Sequence, residues 1–289
     1  WERPPDVLIL QDTLGLSLIA GLVMKEVPFL LLMSIAAMGQ VGGAKQLAVA
    51  QSLGYGRIAG WLAVVFPAIY VRIRLPVLVV LAWSMSVVDV AVILGPSRPS
   101  TLSVQIVRWM SDPDLTLRLQ AAAAALVQLG LVIVALLVWY VAEWSLMRLS
   151  KRYFHMGRRH ARDGLLRGAG FGFAVVVSLA LILGLLGLVL WSFAGFWSFP
   201  DLLPQQFTLR SWQRHSAGSL EALTETALIA GCVVTLGVVL TLGCLEAEER
   251  HNLRLTSKGM WLLYLPLLVP QTAFIPGLQT LLLNFGLET

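Results

Sequence analysis

Asp89 is the residue whose type and setting most demand a chemical explanation. It is the single charge in the otherwise apolar run 77–97. An ionisable group inside a membrane-length apolar segment is costly and normally faces a cavity or a partner. Two readings follow. With Ser84 and Ser86 it lines a polar path, or it sits near the outer end of its segment and pairs with an arginine such as Arg98. A second feature is the set Pro266, Pro270 and Pro276, with Gln271 among them, inside the apolar stretch 259–283. Prolines so placed predict a broken helix. Non-helical backbone at membrane depth is tolerated where protein or a water-filled cavity surrounds it. Pro266, Pro270 and Gln271 are therefore expected beside a path, the alternative being a structural kink.

Other reactive residue types point to nothing catalytic. Cys232 and Cys244 share one apolar run. They make no disulfide framework or metal spacing and read as small hydrophobes. His155, His160 and His215 are isolated, and no Ser/His/Asp arrangement is visible. No glycine-rich G-x-x-x-x-G-K-[ST] loop is present to cradle nucleotide phosphates. The chain is expected not to be an enzyme and to hold no cofactor or metal.

The elements that position these residues are membrane spans. The 289 residues are 57% hydrophobic and 13% charged, well outside the balance of a soluble domain. Runs 172–190 and 227–245 carry no charge, and each is long enough to cross the hydrocarbon core as a helix. Barrel strands alternate in hydrophobicity and these runs do not, so the fold class is all-α and polytopic. Six spans are expected: one ending near Gln40, then about 75–94, 119–144, 169–191, 220–245 and 259–283. Lys25, Glu26 and Pro28 make the first ambiguous. Either one long helix kinks at Pro28, or residues 13–24 form an interfacial helix and the span starts at Val27. Proline removes a backbone donor and clashes with the preceding turn, which tips the reading toward the second.

Lysines and arginines orient the spans. Arg148, Lys151, Arg152, Arg158, Arg159, Arg162 and Arg167 lie between the third and fourth spans. Arg250, Arg254 and Lys258 follow the fifth, and Lys45 and Arg57 follow the first. The opposite loops hold Arg98 and Arg108, then Arg210 and Arg214. The richer set is expected in the cytoplasm. The same loop-by-loop gathering argues against a nucleic-acid partner for the net charge of +5. Trp191, Phe193, Phe196 and Trp197 mark one outer end, and Trp139, Tyr140 and Trp144 one inner end. The basic stretch is also the best internal boundary. Its plain reading is orientation, and the alternative is binding of anionic lipid headgroups. The chain starts at Trp1 and ends on an apolar run, and it is expected to lack material at both ends.

The cytoplasmic loop 44–67 is long and centred on glycine. Residues 46–53 favour helix, Gly54 interrupts with Gly56 close by, residues 57–65 allow helix again, and Pro67 stops or kinks it. The Ala48 and Ala50 side is small enough for close packing on a partner. Ala48-Val49-Ala50, then Gln51-Ser52-Leu53, Gly54, nine residues, and Val64-Val65-Phe66-Pro67 resemble the cytoplasmic coupling loop of permease subunits of ATP-binding-cassette importers. That loop has the form E-A-A, three residues, G, nine residues, I-x-L-P. The family's acidic first position is Ala48 here and its second alanine is Val49. Shorter likenesses extend over most of the chain: Leu14 to Leu18, Val27-Pro28-Phe29, Leu94-Gly95-Pro96, Phe207-Thr208-Leu209 and Leu265 to Gln271.

The resemblance implies a type I importer permease in a bacterial inner membrane. Its partners would be cytoplasmic ABC ATPase subunits, a periplasmic solute-binding protein and the lipid bilayer. Ala48, Ala50, Ser52, Leu53, Gly54, Tyr55 and Pro67 would dock an ATPase, and Asp89, Ser86, Pro266, Pro270 and Gln271 would border the solute path. Residues 1–147 are similar to the closing part of one permease unit, 148–168 form a linker, and 169–289 are similar to the opening part of a second. That arrangement resembles the fused double permeases of the iron(III)/thiamine type, with a second coupling loop expected beyond Thr289. The competing reading is a secondary transporter driven by an ion gradient.

Overall fold

The computed structural model describes residues 11–155, 164–195, 204–252 and 257–285. Arg158, Arg159, His160, Arg162, Phe196, Trp197 and Arg254, named above, lie outside them. The described residues are helical apart from turns and one isolated bridge. Among the described residues, five helices are long and apolar enough to cross a membrane. The protein is an all-α polytopic membrane protein. The chain forms two compact units, Trp1–Phe171 with Leu262–Thr289, and Gly172–Trp261.

The first unit opens with α1, Leu16–Val41. Its free N–H groups are met by Asp12, whose carboxylate accepts from the Leu16 N–H at 2.7 Å, the Ser17 N–H at 3.0 Å and the Ser17 hydroxyl at 2.7 Å. The helix runs through Pro28, so the expected interfacial helix over 13–24 is not formed. Proline removes one backbone bond, whereas a break in apolar surroundings would strand several more.

Gly42, at φ 63°, separates α1 from α2, Gly43–Ser52. After Gly54 comes one continuous helical stretch, Arg57–Ser86. It comprises α3, Arg57–Gly60, a π turn at Trp61–Val65 and α4, Phe66–Ser86. Pro67 thus neither stops nor breaks the helix. Proline has no N–H to give to the continuous helix, and the wider π turn Trp61–Val65 lies just before it. Val65, Ile69 and Ile73 pack with Ala37 of α1, and Leu47 and Trp61 lie against that core.

The expected second span, 75–94, is also corrected. Helix α4 stops at Ser86, Val87 is extended, and α5, Asp89–Leu94, begins afresh. Such a stop leaves carbonyls without helical partners. Gln128 Nε2 donates to the Met85 carbonyl at 2.7 Å and the Ser103 hydroxyl donates to the Val87 carbonyl at 2.7 Å. These groups come from α7, Thr116–His155, and α6, Leu102–Met110. Alanines 121 and 125 let Ile106 of α6 approach α7 closely. At 40 residues, about 60 Å of helix, α7 exceeds the expected 119–144 and projects beyond the hydrocarbon.

The expected sixth span is two half-length helices, α10, Ser257–Leu268, and α11, Gln271–Asn284. The break falls at Val269 and Pro270, with Pro270 fully buried. Pro266 stays inside α10. Within the first unit α11 packs on α6 and α7, its Ala273 lying against the Ile106 and Ala121 cluster.

The second unit holds most of α8, Gly164–Phe193, and all of α9, Arg210–His251. Their connection doubles back through an antiparallel bridge between Ala194 and Phe207. Trp212 stacks on Phe193 at 6.2 Å and donates from Nε1 to the Ser192 hydroxyl at 2.7 Å. A crevice of about 700 Å³ beside the bridge is lined by apolar side chains and Thr208, so it offers no charge to a solute. Leucines and valines along both helices are exposed, as lipid-solvated side chains are.

Candidate functional site

The loop 44–67 folds as a helical corner. Leu53 closes α2 and Gly54 takes φ 86°, a left-handed conformation that glycine adopts without a Cβ clash. The Tyr55 N–H donates to the Ala50 carbonyl at 3.2 Å and the Gly54 N–H to the Gln51 carbonyl at 2.9 Å. These two bonds form a Schellman cap and explain why the helix ends at Ser-Leu-Gly. The Ser52 hydroxyl bonds the Val49 carbonyl at 2.8 Å.

The small face divides. Ala50 is 2% exposed and is spent inside the corner. A Cβ added to Gly60 would lie 3.1 Å from the Ala50 Cβ, so the α3 backbone at Gly60 packs closely on the Ala50 methyl of α2. Ala48 is exposed, as are Val49, Ser52, Leu53, Gly54 and Pro67, while Tyr55 is half-buried. Gly43 comes equally close to Val65, at 3.0 Å for an added Cβ. The corner is thus wedged against the π turn, and through it against Arg57–Ser86.

At this end α4 is tied to α7. Arg74 Nε donates to Glu143 Oε2 at 3.1 Å, with the Glu143 side chain 7% exposed. Trp139 Nε1 donates to the Tyr70 hydroxyl at 3.0 Å, and the Arg74 guanidinium lies 5.4 Å from the Tyr140 ring centre. The sequence signal was Glu143 itself, a carboxylate at the end of an apolar span.

Asp89 opens α5 and faces α1, not Arg98. Its partner is Lys25, with Nζ 3.7 Å from Asp89 Oδ2 and 3.8 Å from the centre of the Trp83 ring. Both charged side chains remain accessible. Ser86 is buried, and its hydroxyl points back to the Ala82 and Trp83 carbonyls at 3.1 and 3.2 Å. Gln271 is exposed at the start of α11, next to buried Pro270 and Thr272. Among the described residues no group of His, Cys, Asp and Glu could hold a metal ion.

Over 280 residues, 96% of its length, the chain is 31% identical to the inner membrane ABC transporter permease protein YnjC of Escherichia coli (strain K12). The chain is similar to a transport permease. It spans about half of that relative, 48% of its length. No family model matches the chain. No solved structure matches it. A permease is not an enzyme, and the relative's name leaves its solute and its partners unstated.

Proposed function

We propose that the chain is a permease component of an ATP-binding-cassette importer in a bacterial inner membrane, carrying solute along the first unit and taking its energy from a separate cytoplasmic ATPase. The observation that carries the reading is the Gly54 corner. It is locked by the Schellman bonds and by the Ala50–Gly60 contact, and it leads through Tyr55 and Gly56 into the continuous helix Arg57–Ser86. That stretch of 30 residues is about 45 Å of helix. Two residues, Val87 and Val88, separate the far end of that stretch from Asp89, which pairs with Lys25. The similarity to a named permease over nearly the whole chain supports the same conclusion.

In this reading Ala48, Val49, Ser52 and Leu53 form the ATPase-facing surface and Ala50 the corner's internal contact. A periplasmic binding protein delivers solute. Residues 1–147 close one permease unit, 148–168 link, and 169–289 open a second, which is the fused double arrangement. Pro266, Pro270, Gln271, Ser86 and Asp89 border the path, with Ser86 acting through the helix end it stabilises.

The test is reconstitution of the protein with its ATPase. Wild type is expected to drive ATP-dependent uptake, and Gly54→Trp to assemble in normal amounts but lose that uptake. Normal transport by Gly54→Trp, or transport by the protein alone on an ion gradient, overturns the reading.

A further inference from the structure

We infer that Asp89 and the face of Trp83 form a recognition site for an organic ammonium group, and that Lys25 occupies it as a tethered stand-in. The inference rests on the permease reading and names the chemical class of its solute. Its ground is the position of one ammonium between two acceptors. Lys25 Nζ lies 3.7 Å from Asp89 Oδ2 and 3.8 Å from the Trp83 ring centre. A carboxylate beside an aromatic face suits a weakly hydrated ammonium, primary or quaternary. It suits a metal ion poorly, because calcium and magnesium demand several oxygen ligands.

The pair also stands where a solute could reach it. Lys25 is twelve residues before Ala37 in α1, roughly 18 Å along the helix, and Ala37 packs near the coupling corner. The pair is therefore deep in the outer half of the span. Side-chain exposures of 47% for Lys25 and 68% for Asp89 leave both groups reachable, and a charged face at that depth turns to a cavity or to protein in preference to hydrocarbon; the assignment takes the cavity. The 3.7 Å separation is longer than a well-formed charged hydrogen bond, which leaves the ammonium displaceable. An incoming ammonium takes the carboxylate and the ring, and Lys25 swings clear. The contact between α1 and α5 then loosens.

The experiment uses the intact protein in membrane vesicles, with Cys232 and Cys244 replaced by alanine and Lys25→Cys introduced. Methanethiosulfonate reagents carrying a trimethylammonium or a sulfonate are compared, each rate normalised to a free thiol. The expected result is a preference of about tenfold or more for the cation, the scale that a partly screened carboxylate a few ångströms away supports. The preference falls toward unity with Asp89→Asn and is reduced with Trp83→Leu. Tetramethylammonium chloride slows the reaction more than sodium chloride of equal ionic strength. Equal effects of the two salts, no charge preference, or no reaction with either reagent overturns the assignment. If Lys25→Cys does not reach the membrane, Asp89→Cys is read beside the native Lys25. The preference then inverts toward the sulfonate, and its failure to invert overturns the assignment. None of these readouts needs ATPase, so they separate from failure of the coupling role.

Discussion

Gly54 is at φ 86°, where an L side chain costs about 1–2 kcal/mol. Gly54→Val is expected to leave the protein in the membrane at near-normal levels while uptake per ATP hydrolysed falls, measured in proteoliposomes. Glu143 carries a separate prediction. Removing it by Glu143→Ala strands the Arg74 guanidinium beside a nearly buried position. Because Arg74 is itself 39% exposed, the loss is roughly 1–3 kcal/mol, between surface and fully buried pairs. Thermal unfolding in detergent should show it, with Glu143→Gln milder. Asp12 gives a pH effect. The Ser17 backbone N–H first, then the Leu16 N–H and the Ser17 hydroxyl, hold its carboxyl below the usual value of 3.8. A depressed folded value means the cap is present above the ordinary carboxylate range and is lost as pH falls through the folded value. Fraying of the first turn of α1 should therefore appear only in acid for wild type, but at neutral pH for Asp12→Ala, as faster amide exchange at Leu16 and Ser17.

At the scale of elements, the decisive feature is where helices stop. Where α4 ends at Ser86, Gln128 donates to the Met85 carbonyl and Ser103 to the carbonyl of the next residue, Val87. Gln128→Leu and Ser103→Ala are each expected to cost about 1–3 kcal/mol by leaving a carbonyl unpaired, read as lowered thermal stability. Unchanged stability in both would mean the break is held by something else. The glycine corner and the break at Pro270 were legible in the sequence, because glycine and proline state their backbone demands in their own chemistry. Continuity through Pro28 and Pro67 was not. Whether one missing donor ends a helix depends on the surroundings, and apolar surroundings favour keeping the remaining bonds.

At the scale of the molecule, orientation is the testable claim. In a background without Cys232 and Cys244, Ser52→Cys is expected to react with impermeant thiol reagents from the cytoplasmic side and Ser97→Cys from the outside. Labelling of both from one side would contradict the placement of the basic loops. The two labelling results together would put the α2–α3 corner on the cytoplasmic side and the Lys25–Asp89 pair toward the other.

Residue order alone implies that lipid solvates this chain, that helices cross the bilayer, which loops carry positive charge and where glycine forces a corner. These follow from composition, run length and the conformational limits of single residues, all local in the chain. Packing alone reveals that Ala50 faces Gly60, that Gln128 and Ser103 donate to the carbonyls at the end of α4, and that Asp89 meets Lys25 and not Arg98. These pairs lie from ten residues apart, for Ala50 and Gly60, to 64 apart, for Lys25 and Asp89. A lone charge or amide in an apolar run signals that a partner exists, but only packing brings one particular partner within reach.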